Sequence, residues 1–130
     1  MTRYLDAAAL IDLAQRAEQT DPAPCVCTKT PLDGWQSQPL SIDDRQLEQV
    51  GTLMREDEAE PTFAEYLPEG LRYWSDEAPI APRYFPYNRC GVWTCAHCGR
   101  LYLRYTEGGG YFVDQRIRAL KASLIEDVPL

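Results

Sequence analysis

Two periods of apolar and polar residues run along this chain, and they predict different elements. Between Tyr4 and Ala17, Leu10, Leu13, Ala14 and Ala17 recur at the i, i+3, i+4, i+7 spacing of one helix face, in an alanine-rich run. That pattern predicts an N-terminal helix capped by Thr2. The stretch Thr20-Asp21-Pro22-Ala23-Pro24 ends it, because each proline lacks a backbone donor and restricts the residue before it. Thr30-Pro31-Leu32-Asp33-Gly34 reads as a tight turn, and a short strand follows over Trp35 to Leu40, weakened by Pro39. A second helix is expected from Ile42 to Arg55, with Ser41 as cap, Asp43 and Asp44 in its first turn, and Leu47, Val50, Leu53 and Met54 as its stripe. The acidic run Glu56 to Glu60 reads as a solvated loop, and Thr62 to Leu67 as a short helical turn.

The period then becomes two. Gly91 to Thr94 reads as a strand, and Leu101, Leu103 and Tyr105 alternate with Tyr102, Arg104 and Thr106. Glu107-Gly108-Gly109-Gly110 is a hairpin loop, Tyr111 to Ile117 the return strand, and Ala119 to Leu130 a short helical turn or ordered tail. These elements predict a small α+β fold. Two helices pack on an antiparallel sheet that carries a C-terminal β-hairpin, in a single domain over residues 1–130. Between Leu71 and Asn88, Tyr73, Trp74, Tyr84, Phe85 and Tyr87 stand among Pro79, Pro82 and Pro86. That mixture predicts an irregular segment whose rings pack on the core, with an aromatic recognition groove as the alternative.

A chain of 130 residues can bury a core without a metal. It has no apolar run long enough to span a membrane, and its first residues lack a signal peptide's apolar core, so a cytoplasmic location is expected. Reduced thiols in that compartment favour metal binding over disulfides, and five cysteines cannot all pair within one chain.

The chemistry lies in those cysteines. Cys25-Val26-Cys27 and Cys95-Ala96-His97-Cys98 are two close pairs, and four thiolates in two pairs suit a tetrahedral zinc ion. Four cysteines close the coordination shell, which predicts a structural rather than a catalytic metal. Cys90 stands about 16 Å from Cys95 along an extended strand, whereas thiolates sharing one zinc lie within about 4 Å of each other. It therefore reads as a buried free cysteine, although a site using it with Cys25 or Cys27 is the alternative. His97, between two ligands, is expected to point outward.

Trp93 to Tyr105, with Cys95-Ala96-His97-Cys98-Gly99-Arg100, resembles the zinc knuckle of zinc-ribbon and rubredoxin-like modules. In those modules a strand ends in Cys-x-x-Cys-Gly and the chain turns back as a second strand. Counted with the hairpin that follows, the resemblance covers about 25 residues and implies a metal site with a local hairpin. Ribbons pair two such knuckles, whereas the partner here is Cys25-x-Cys27.

Charge adds one further candidate. The net charge is −7, but residues Arg83 to Arg118 carry +4, which leaves −11 on the rest. Overall acidity argues against a general nucleic-acid binder. Arg100, Tyr102 and Arg104 on one strand, joined by Arg116 and Arg118 on the next, form a possible contact face for a partner protein. The bland reading is that acidic segments of the chain cover these arginines or that water does. The function expected is a non-enzymatic, zinc-binding interaction or regulatory module. A thiol–disulfide redox protein using Cys95 and Cys98 is one alternative, since Trp93-Thr94-Cys95 superficially resembles a thioredoxin-like site. A nucleic-acid-contacting accessory protein using the basic hairpin is another.

Overall fold

The computed structural model describes residues 3–20, 25, 31–57, 60–108, 111 and 113–130. Helix α1 spans Ala7–Glu18, and the strands are β1 Gln36–Ser37, β2 Leu47–Thr52, β3 Gly91–Cys95, β4 Leu101–Gly108 and β5 Val113–Ala119. They form one antiparallel sheet in the order β1-β5-β4-β3-β2. The expected hairpin is its centre.

The cap of α1 is Asp6, whose carboxylate accepts the Ala9 amide at 2.8 Å, so the helix starts three residues beyond Tyr4. Thr2 lies outside the described residues. Ahead of the helix, Leu5 N–H donates to Thr52 O and Thr52 N–H to Arg3 O, each at 2.9 Å. This lead-in covers part of the outer edge of β2 that would otherwise present unpaired backbone groups.

The second helix, expected over Ile42 to Arg55, does not form, and the architecture of two helices on a sheet is corrected to one α-helix and a five-stranded sheet among the described residues. The start signal is used locally. Asp43, not Ser41, caps a single 3-10 turn at Asp44–Gln46, with its carboxylate accepting Arg45 N–H at 2.9 Å and Gln46 Oε1 accepting Asp43 N–H at 3.0 Å. The chain then extends into β2. The stripe read as helical splits: Leu47 and Leu53 are buried, Val50 and Met54 exposed. Val50 falls where the register with β3 slips between Gln49 and Gly51. Gly51 is a poor helix former, and Leu5 lies so close over it that a Cβ would stand 2.5 Å from Leu5 Cδ1. Pairing along β3 outweighs a weak local preference.

Strand β4 is buried on both faces. Leu101, Leu103 and Tyr105 pack with Leu5, Leu10, Ala14, Trp35 and Leu53 on the α1 side. Tyr102 packs with Leu32, Ile42, Leu47, Cys95, Ile117 and Ala119 on the other. The irregular aromatic segment adds to the first layer. Trp35 stacks on Tyr73 at 6.1 Å between ring centroids, meets Tyr105 edge-on at 4.9 Å and leans on Tyr87 at 5.7 Å. Trp74 stays mostly exposed. Residues 62–67 make no helical turn, and the C-terminal turn is a short 3-10 segment at Ala122–Leu124.

Candidate metal centre

Strand β3 ends at Cys95, and the chain reverses through Ala96 to Arg100 into β4. Two backbone bonds close this turn: Gly99 N–H to Cys95 O at 2.7 Å and Cys95 N–H to Arg100 O at 2.8 Å. Gly99 has φ of +79°, a region where a side chain is strained, which accounts for glycine there. The turn is anchored sideways by Ala96 N–H donating to Gln46 O at 2.7 Å. No helix starts at Cys95, so the helix N-terminus that a thioredoxin-like site requires is missing.

Cys25 meets this turn from seventy residues away, with its Sγ 3.6 Å from Cys95 Sγ. The sulfurs of Cys25, Cys95 and Cys98 all lie within 4.8 Å of one another, a group able to hold a metal ion. A tetrahedron with bonds of about 2.3 Å sets its sulfurs about 3.8 Å apart, so the donor set fits a thiolate-bound metal without rearrangement of the Cys25–Cys95 pair. Cys27 lies outside the described residues. Cys90 is separate from this group: it is fully buried at the other end of β3, and its thiol donates to Pro86 O at 3.3 Å. Burial pushes that thiol well above its usual range. His97 is exposed.

Sequence reasoning missed Gln46. Its side chain is buried and held at both ends: Oε1 accepts the Asp43 amide, while Nε2 donates to Cys95 Sγ at 3.4 Å and to Cys25 Sγ at 3.8 Å. The Asp43-x-x-Gln46 capping box was a legible signal for a turn. Nothing in it pointed to sulfur. Burial pushes the Cys95 thiol up, but donors outweigh this and hold it down at about 6. They are the Gln46 amide, the backbone N–H groups of Cys98 and His97, and the Cys25 thiol. These donors favour the thiolate form of Cys95.

No family model matches the chain, and no curated protein or solved structure matches it either. What the site can do must therefore be read from its own geometry.

The proposed contact face does not survive as one surface. Ile117 pairs with Arg104 across the β4–β5 ladder, so Arg116 and Arg118 project on the face opposite to Arg104 and Tyr102. Tyr102 and Arg118 are fully buried, and Arg104 is 7% exposed. Arg104 Nη1 donates to Asp44 Oδ1 and Gln38 Oε1, each at 2.8 Å, and its guanidinium lies 4.1 Å from the Trp93 ring centroid. Arg118 donates to Asp33 O, Asp76 O, Ala78 O and Tyr87 Oη. Arg116 pairs with Asp114 at 3.2 Å. Of the five residues, Arg100 and Arg116 keep partial exposure, the first in the turn ahead of β4 and the second within β5.

Proposed function

We propose that this protein is a non-enzymatic binding module of the cytoplasm, stabilised by a structural zinc ion held by Cys25, Cys27, Cys95 and Cys98. The observation that carries this reading is the convergence of the Cys25, Cys95 and Cys98 sulfurs at a turn whose amides and Gln46 favour thiolate. Cys27 is assigned as the fourth ligand from its place two residues after Cys25. Soft thiolate donors in a tetrahedral set select zinc among common cellular metals, with iron as the competitor. A closed four-thiolate shell leaves no position for substrate, which is the reason for reading the metal as structural. The partner proposed for such a module is another protein.

The test is elemental analysis of protein purified under reducing conditions without chelator. About one zinc per chain is expected, and protein without metal overturns the reading. The same sample separates the redox alternative at Cys95 and Cys98. Metal-held thiols react slowly with iodoacetamide until a chelator is added, whereas a free redox thiol is alkylated fast from the outset.

A further inference from the structure

A cavity of about 610 Å³ opens beside the knuckle, where the C-terminal half of α1 passes the ends of β4 and β5. On its helix side α1 presents only the small side chains of Ala14 and Ala17, where larger residues would narrow the gap. Leu101 and Leu120 add apolar lining, and Cys98, Gly99 and Arg100 form the side nearest the metal centre. The Glu18 carboxylate accepts Ala122 N–H at 2.8 Å and so ties the end of α1 to the C-terminal turn beside the cavity. The volume falls within the roughly 300–1,000 Å³ of small-molecule sites.

The charges around the opening choose the occupant. Arg100 and Lys121 both line it, and Glu18 is the one acid among the described lining residues. That carboxylate is already engaged by the Ala122 amide. Arg100 spends one guanidinium contact on Pro31 O at 3.2 Å, and Lys121 one ammonium contact on Asp33 Oδ1 at 2.8 Å. Both groups have further donors, and both are partly exposed. We propose that this cavity binds a small organic anion with an apolar body, of the class of medium-chain carboxylates. The hydrocarbon lies against Ala14, Ala17, Leu101 and Leu120, and the carboxylate meets Arg100 and Lys121. The site does not depend on which metal the cysteines hold.

Isothermal titration of the protein as purified with decanoate, below its micelle concentration, tests the assignment. Saturable binding is expected. Ala17→Leu places an isobutyl group in the space and should weaken binding at least tenfold or so, by removing apolar contact. Arg100→Gln should weaken it by about tenfold through loss of a charge-assisted hydrogen bond, and decan-1-ol should bind more weakly than decanoate by a similar factor. Circular dichroism checks that each variant is folded. Should Ala17→Leu fail to fold, Arg100→Gln and the alcohol still decide the matter, since neither disturbs the apolar packing. Absence of saturable heat overturns the proposal, as does unchanged affinity in a folded Ala17→Leu. Equal binding of the alcohol and the acid overturns the assignment of an anion.

Discussion

Arg118 offers the sharpest test of the corrected picture, because the sequence places it on a contact face and the structure places it in the core. It is fully buried, with no carboxylate among its partners in the described residues. Its two closest contacts, at 2.5 Å to Tyr87 Oη and 2.7 Å to Ala78 O, are buried, while those to Asp33 O and Asp76 O, at 3.1 and 3.2 Å, are partly so. The guanidinium thus joins β5 to the turn at 33 and the segment at 76–78. Arg118→Met keeps the aliphatic stem and removes every donor. Ala78 O, left without its donor, costs about 1–3 kcal/mol, and Tyr87 Oη, which keeps the Trp35 indole, loses a charge-assisted bond of about 1.5–3 kcal/mol, so the two closest contacts give about 2.5–6 kcal/mol. Relief of the buried charge lowers that sum, and water reaching the two outer carbonyls lowers it further. A net loss of about 3 kcal/mol is expected, a large share of the ~5–15 kcal/mol typical of a domain. Urea unfolding followed by tryptophan fluorescence is the assay, since Trp35 Nε1 donates to the same Tyr87 Oη at 3.2 Å. The midpoint should fall by about 1–3 M. Arg118→Lys keeps a charge but not the fork geometry and should lose a comparable amount. A solvated contact residue would shift stability by no more than about 0.5 kcal/mol, and that result for Arg118→Met would refute the buried-staple account.

Three further outcomes follow from the same geometry. Cys95→Ser should release the metal and lower apparent stability by about 3–4 kcal/mol or more, whereas Cys90→Ser, outside the sulfur group, should retain it; metal analysis beside urea curves decides, and loss of metal from the Cys90 variant alone would reverse the ligand assignment. A Cβ at Gly34 would lie 2.1 Å from the backbone oxygen of Trp74, while at Gly99 it would touch nothing within 4 Å. Gly99→Ala should therefore cost only the left-handed strain, about 1–2 kcal/mol, and Gly34→Ala more, since neither backbone can yield cheaply; equal thermal shifts would contradict this. Burial raises the Cys90 thiol above its ordinary 9.0 in the folded protein. Its contribution to stability is thus complete below pH 9 and is lost as pH rises toward the folded value, because the unfolded chain deprotonates first. Urea midpoints should decline above about pH 9, less steeply in Cys90→Ala, and an identical slope in that variant would remove Cys90 as the cause.

The hairpin and α1 were legible because one dominant signal specified each: period two with a glycine loop, and a helical stripe before Asp21-Pro22. The β2 segment was not, since Leu47-Glu48-Gln49-Val50-Gly51 carries no clean period and its pairing partner lies more than forty residues away. Local signals marked a start at Asp43, and only the distant partner decided what came after it. The same limit governs the arginines. Alternation along β4 correctly separates Leu101, Leu103 and Tyr105 from Tyr102 and Arg104, but it cannot say that a second layer covers the other face. Leu32 and Ile42, which help build that layer, sit in turn-rich sequence with no periodicity. For the candidate site, cysteine spacing was enough to single out Cys25, Cys95 and Cys98. Gln46 had to come from the structure, because a glutamine facing sulfur leaves no pattern of its own.

The position of the sulfurs relative to the two layers explains why a chain able to bury its own core would still use a metal. The layer under α1 gathers Leu5, Leu10, Leu53, Val92, Leu103 and Tyr105 and contains none of the clustered thiols. The opposite layer is smaller, and Cys95 is one of its buried members, with Cys25 and Cys98 packed against it. Its cover comes from turns rather than a helix, so each residue contributed carries the entropy cost of ordering irregular backbone. Gln46 and the Ala96 amide already join the β2 lead-in to the knuckle, and Cys25 brings in the chain that leaves α1. A metal at these sulfurs would therefore cross-link two segments, the Cys25 stretch and the knuckle, at the thinner face, where apolar burial is least able to hold them. On this argument its removal loosens that face first, while the helix-covered layer, which owes nothing to the thiols, remains.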